Sequence, residues 1–236
     1  MEKLNLNDIK SLNRHFADSV PSDILKWLWS EKGERAVLGT GFGPSGIVLI
    51  DLLHKAHLGI PVFYLDTHLF FPETYELRDQ LQDRFNCGFI KVSTSLSLDE
   101  QEKEYGSKLW ETNPNKCCYL RKVLPLKWYL RDKDVWITGV RRSQSESRKN
   151  TQLFEWDPQN EVVKVNPLAT WTSEEVWAYV TIHELPYNPL HDDGYPSIGC
   201  VPCTHPVFSD DERAGRWPGM AKMECGIHLP TQDNDK

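Results

Sequence analysis

An α/β fold, a parallel sheet covered by helices on both faces, is what this sequence predicts, and three observations predict it. Short runs of β-favouring residues alternate with helical runs at crossover spacing. The first run, Arg35-Ala36-Val37-Leu38, passes at once into the turn Gly39-Thr40-Gly41-Phe42-Gly43-Pro44-Ser45-Gly46 and an apolar helix over 47–57. The composition is that of a globular chain: 236 residues, 39% hydrophobic and 26% charged, enough for one large covered core.

The elements follow in order. Residues 8–32 predict two helices broken at Val20-Pro21, the second with an apolar stripe of Ile24, Leu25, Leu28 and Trp29. After the first strand, turn and helix comes a strand over 61–65 that ends at Leu65-Asp66. A helix over 72–84 follows, with Pro72 in its first turn and Glu73 beside the positive end of its dipole. Residues 89–92 make a third strand, and Cys87, in the connection before it, reads as a packing residue. Cys117 and Cys118 open a helix running through Leu120, Val123 and Leu126, with Pro125 as a kink. The strand over 135–138 ends at Gly139 and opens into the basic loop Val140-Arg141-Arg142-Ser143-Gln144-Ser145-Glu146-Ser147-Arg148. Leu153 and Trp156, then residues 162–165, predict a small extended pair. Thr172 and Glu175 form a capping box that starts a helix carrying Val176, Trp177 and Val180. From Ser209 the chain turns charged and rich in Gly and Pro, without apolar periodicity. That change predicts a single domain over 1–208 and a mobile tail over 209–236.

Strand, glycine-rich turn and helix N-terminus together make an anion site, because backbone N–H groups and the helix dipole point at one place. Thr40, Gly41, Phe42 and Gly43 are the candidates there. Gly41, Gly43 and Gly46 also satisfy GxGxxG, with Asp66 about twenty residues on, so a nicotinamide dehydrogenase competes. Pro44 inside the turn counts against it, as do paired cysteines for which it has no use. A phosphate loop of the Walker type fails because Ile47 and Val48 stand where Lys and Ser or Thr are required. The net charge of -7 excludes a general nucleic-acid surface. Arg121-Lys122, Arg141-Arg142, Arg148-Lys149, Arg213 and Arg216 are local counter-charges suited to a small polyanion, and a solvated surface is the bland reading of each. No apolar run approaches a membrane span, and the N-terminus lacks the basic-then-apolar order of a secretory signal, which predicts a cytoplasmic protein.

Four of the six cysteines form two distant couples, Cys117-Cys118 and the CxxC turn Cys200-Val201-Pro202-Cys203. In a reducing compartment such couples point to a metal centre. A multinuclear iron centre, a four-cysteine zinc site and buried packing thiols all fit this spacing. Cys225, followed by Gly226 and His228, is either a nucleophile on an exposed segment or an incidental thiol.

Several blocks jointly resemble the assimilatory sulfonucleotide reductases: the iron-sulfur adenylylsulfate (APS) reductases and their phosphoadenylylsulfate (PAPS) relatives. The likeness runs from about Ala36 to Leu229. It rests on Leu65-Asp66-Thr67 with Phe71-Pro72-Glu73-Thr74-Tyr75, on Gly139-Val140-Arg141-Arg142-Ser143-Gln144-Ser145, on Lys116-Cys117-Cys118 with Gly199-Cys200-Val201-Pro202-Cys203, and on Glu224-Cys225-Gly226-Ile227-His228. His68 departs from the family's usual glycine, and the anion loop departs from its acidic form. The resemblance implies an adenine-nucleotide α-hydrolase-like fold and APS reduction to sulfite and AMP. A PAPS or dual-substrate enzyme is the alternative, and a zinc-stapled, non-catalytic nucleotide-binding module a remoter one. It further implies that Cys117, Cys118, Cys200 and Cys203 hold a 4Fe-4S cluster and that Cys225 attacks the substrate sulfur. Lys122 would lie near both cluster and sulfate; Arg148, Arg213, Arg216 and His228 would bind the phosphate-sulfate part; Leu65, Asp66 and Gly139 would lie at the adenosine. Thioredoxin or a glutaredoxin-like thiol donor would come from outside, because the sequence stops soon after Leu229 without a reductant domain. No nucleic-acid or membrane partner is implied, and homo-oligomerisation stays open.

Overall fold

The computed structural model describes residues 6–209, 211–220, 222 and 224–228; the part of the expected tail from Leu229 onward lies outside them. Its strands are β1 (Ala36–Thr40), β2 (Val62–Asp66), β3 (Ile90–Ser93), β4 (Val135–Ile137), β5 (Phe154–Asp157) and β6 (Val162–Val165). They form one sheet in the order β3-β2-β1-β4-β6-β5. All are parallel except β5, which closes one edge antiparallel to β6. The helices are α1 (Leu6–His15), α2 (Pro21–Lys32), α3 (Pro44–Lys55), α4 (Pro72–Phe85), α5 (Leu98–Tyr105), α6 (Leu109–Thr112), α7 (Pro114–Cys118), α8 (Leu124–Leu130) and α9 (Ser173–Ile182). None among the described residues is long and apolar enough to cross a membrane.

Alternation along the strands sorts the two faces. Ala36, Leu38, Val62, Tyr64, Val135 and Ile137 join α2, α3, α4 and α9 in the larger apolar cluster. Val37, Phe63 and Trp136 turn the other way and meet Leu126 and Leu130 of α8. Complete burial of each such side chain contributes roughly 1.5–3 kcal/mol, so the layers on both faces hold the strand ends in fixed relation.

Three local differences from the sequence reading have clear causes. The small extended pair joins the main sheet: all four residues of β6 are buried, which makes β6 an interior strand covered on both faces. α5 went unanticipated because it buries only Gln101 and so has no apolar stripe; a capping box between Ser97 and Glu100 defines its start. The helix expected to open at Cys117 begins at Pro114, with the Asn113 side chain accepting the Lys116 N–H at 3.0 Å. It widens into a π turn over Tyr119–Val123, where the Leu124 N–H donates to the Tyr119 carbonyl. Pro125 has no N–H to offer the Arg121 carbonyl and its ring crowds that oxygen, so the wider turn replaces a sharp kink.

Candidate active site

The carboxyl ends of β1 and β4 open on a cavity of about 640 Å³. Gly43 caps α3 and Pro44 sits in its first turn, which leaves the loop N–H groups free of intrahelical partners. Thr40 Oγ1 accepts the Phe42 N–H at 2.9 Å and holds Phe42 at φ 58°. Helix and strand touch at Gly46, where a Cβ would lie 2.5 Å from Thr40 Oγ1. Of the residues expected at this end, Thr40, Gly41, Gly43, Leu65 and Gly139 line the cavity, and Phe42 and Asp66 do not. The Phe42 ring is buried against Tyr64 and Phe89. Asp66 accepts from the Tyr75 hydroxyl (2.8 Å) and the His68 N–H (2.8 Å) and pairs with Lys91 (2.9 Å). Burial pushes its carboxyl up, and these three partners outweigh that and hold it below the usual range. Asp66 therefore braces the following loop.

Lys122, Arg148, Arg213, Arg216, Cys225 and His228, scattered over more than a hundred positions, all line this same cavity. Backbone bonds from the His205 N–H to the Gly215 carbonyl (2.9 Å) and from the Trp217 N–H to the Cys203 carbonyl (3.1 Å) bring the start of the C-terminal segment back to the CxxC turn. Arg216 then stacks on Trp217, 4.7 Å from the ring centroid. Its guanidinium fills the place of a side chain at position 199, since a Cβ on Gly199 would lie 2.3 Å from it. Glu224 accepts from Arg148 Nε and Nη2 (2.8 and 2.9 Å) and from Arg213 Nη2 (3.0 Å). Arg141 Nη2 donates to both Glu212 carboxylate oxygens at 2.9 Å, and Arg141 Nε donates to Ser45 Oγ at 2.9 Å. Besides these backbone bonds, two glutamates thus tie the described part of the segment to arginines of the loop after β4.

Cys225 is 9% exposed. Burial pushes its thiol up, and Lys122, foremost among its neighbours, brings it below the ordinary value. Gly226 adopts φ 90°, a conformation that disfavours any side chain, and Ile227 reaches the apolar clusters on either side. The His228 ring stacks on Trp136, centroids 5.3 Å apart and 10° from parallel. Burial, followed by the nearby cations Lys164, Arg148, Arg213 and Lys122, keeps it neutral.

Cys117, Cys118, Cys200 and Cys203, each 6–8% exposed, ring a second, small cavity with Thr67, Arg121 and Trp217. The CxxC turn docks there through the Val201 N–H, which donates to the Leu69 carbonyl at 2.8 Å. Burial first, then the neighbouring thiols, push Cys117 up to about 12 and Cys203 up to about 11. Two observations fit an anionic, sulfur-bound group here. Arg121, 1% exposed, donates to Gln101 Oε1 (2.7 Å) and to the carbonyls of Thr67 (3.1 Å), Ser97 (3.2 Å) and Leu96 (3.4 Å), with no carboxylate partner among the described residues. The buried Trp217 indole N–H has no acceptor among the described residues. A buried cation and a spare donor call for negative charge beside them. No three His, Cys, Asp or Glu side chains among the described residues converge on a single metal ion; the thiols surround a volume. Cys87 lies elsewhere, half-buried against the larger cluster.

Sequence reasoning did not single out Trp136, Trp217 or Glu212. The alternation of β4 carried a faint signal, since it turns Trp136 away from Val135 and Ile137. Nothing in the order of residues pairs Glu212 with Arg141, 71 positions away.

Comparison with known proteins follows the same lines. The phosphoadenosine phosphosulfate reductase domain matches residues 35–206. A protein of Salinibacter ruber named adenosine 5'-phosphosulfate reductase is 52% identical over 229 residues, covering 96% of this chain and 91% of that protein. Adenosine 5'-phosphosulfate reductase 1 of Bacillus subtilis is 48% identical over 207 residues, covering 87% and 89%. The crystal structure of a phosphoadenylyl-sulfate reductase from Candida auris in complex with phosphate superposes with a TM-score of 0.76 at 28% identity, covering 85% of this chain and 97% of that one.

Proposed function

This chain belongs to the phosphoadenosine phosphosulfate reductase family, and we propose on that premise that it reduces adenosine 5'-phosphosulfate to sulfite and AMP in sulfate assimilation, with Cys225 as nucleophile. Adenylylsulfate is preferred over its 3'-phosphorylated form because relatives bearing the former name reach about half identity over nine-tenths of their length. The observation that carries the mechanism is that Cys225 lines the same cavity as the anion loop, beside Lys122 and Arg216.

The loop N–H groups at Gly41 and Gly43, just past Thr40 at the end of β1, would receive the phosphate, and Leu65 and Gly139 would flank the nucleoside. Lys122 and Arg216, which have no carboxylate partners among the described residues, face the sulfonate and offset the repulsion between anionic nucleophile and anionic substrate. The Cys225 thiolate attacks sulfur, the bond from sulfur to the bridging oxygen breaks, and that electron pair leaves with AMP. The product on the enzyme is an S-sulfocysteine. A dithiol donor of the thioredoxin or glutaredoxin type then attacks Cys225 Sγ and sulfite departs with the sulfur-sulfur pair. The donor's second thiol frees Cys225, so the donor loses two electrons as a disulfide and the substrate sulfur gains two. Cys117, Cys118, Cys200 and Cys203 would hold a 4Fe-4S cluster, which when bound would place its charge beside Lys122 and tune the field at the sulfonate. Six free thiols suit the reducing cytoplasm, where we place the reaction.

Sulfite release from each of the two nucleotides, with thioredoxin as donor, tests the reading. Faster turnover of adenylylsulfate supports it; turnover confined to the 3'-phosphorylated nucleotide, or none with either, overturns it. Iron with acid-labile sulfide is expected on metal analysis, and one zinc without iron would favour a zinc-stapled binding module.

A further inference from the structure

A carboxylate next to a nucleophile that must work as a thiolate opposes the chemistry, since its field disfavours the thiolate. Glu224 nevertheless precedes Cys225, and its side chain is only 3% exposed. Its two oxygens are spent on two guanidinia: Arg148 takes both in a fork, and Arg213 shares the second. Arg148 Nη1 donates to Gln144 Oε1 at 2.6 Å. The cations expected to bind substrate therefore divide into two kinds. Arg148 and Arg213 are occupied by the protein's own carboxylate; Lys122 and Arg216 have no carboxylate partner among the described residues. Arg148 belongs to the loop after β4 and is fixed to the domain through Gln144, whose side chain also accepts the Arg141 N–H.

We infer that Glu224 is a positioning residue: its bridge to Arg148 and Arg213 seats Cys225 in the cavity for sulfur transfer and must open before the donor can reach the S-sulfocysteine. This rests on the reading of Cys225 as the nucleophile. The bridge restrains the backbone one residue from the reacting atom, so small losses of geometry there translate into large losses of rate. It is also made of charge and not of apolar contact, so it can release without unfolding the domain.

The test separates the two half-reactions in the holoenzyme, using Glu224→Gln and Glu224→Asp. Single-turnover formation of the Cys225 adduct from adenylylsulfate, followed by mass, is expected to slow by roughly tenfold or more in Glu224→Gln. Release of sulfite from preformed adduct by thioredoxin should be as fast or faster. Alkylation of residue 225 by iodoacetamide without nucleotide should accelerate in the same variant. Glu224→Asp keeps the charge but is one methylene short of spanning both arginines, and should fall between the two, which serves if Glu224→Gln is poorly folded. Adduct formation and alkylation at wild-type rates in either folded variant would overturn the proposal, as would equal slowing of both half-reactions. Absence of any adduct on wild-type Cys225 would instead overturn the mechanism beneath it.

Discussion

The two sides of the cavity are built by different forces. The loop side is set by packing: Gly46 against Thr40, Gly139 against Ser45, and Phe42 buried between Tyr64 and Phe89. The C-terminal side is set largely by charge, through Glu212 on Arg141 and Glu224 on Arg148 and Arg213. Interdigitated atoms give a fixed geometry that tolerates no added methyl group. Ion pairs give a position that can be made and unmade. On the proposed mechanism, a nucleotide held still through the reaction belongs on the first side, and a sulfur that meets two partners in turn belongs on the second.

Removing the proposed nucleophile sharpens this contrast most. Cys225→Ser should abolish sulfite formation and covalent adduct while AMP affinity, measured by calorimetry, stays as in the wild type; turnover in that variant would break the division. On the opposite side, Gly46→Ala should cost about 1–3 kcal/mol of stability through overpacking. It should weaken AMP binding while leaving the alkylation rate at Cys225 unchanged. Arg141 touches both sides, through Ser45 and Glu212. Arg141→Lys keeps the charge but loses the separate donors that reach Ser45 and Glu212 at once, so it should cost about 1–2 kcal/mol, with AMP affinity and Cys225 protection both falling. An effect on one alone would show that the sides are independent.

The smallest effect concerns Asp66, which braces the loop side from below. Its folded pKa is depressed, so its contribution to stability is present above the unfolded carboxyl value of about 4 and disappears as pH falls through the lower folded value. Asp66→Asn should therefore cost about 1 kcal/mol near neutrality. The difference from the wild type should begin to shrink in thermal melts below about pH 4 and vanish once the pH has fallen through the lower folded value. A difference that persists there would assign the loss to packing.

How much of this was legible depended on range. The loop from β1 to α3 could be read directly, because strand, turn and helix start are contiguous and each has its own signature. The thiol couples were equally visible as pairs, and all four do ring one cavity. Asp66 looked like a ligand residue but faces Lys91 and Tyr75, which the sequence holds 25 and nine positions away. Arg121 looked like a local counter-charge for a small polyanion and lies buried beside the thiols, within the π turn before Pro125.

Local chemistry, then, was settled by the sequence: which residues could make strands, which turn could take an anion, which thiols could bind or react. Partnership was settled only by the folded chain. Whether a given arginine faces solvent, a substrate or a glutamate depends on what distant segment is brought against it. Residue order encodes periodicity and spacing over a few turns, whereas an ion pair between Arg148 and Glu224 exists only after the whole sheet has placed them 2.8 Å apart.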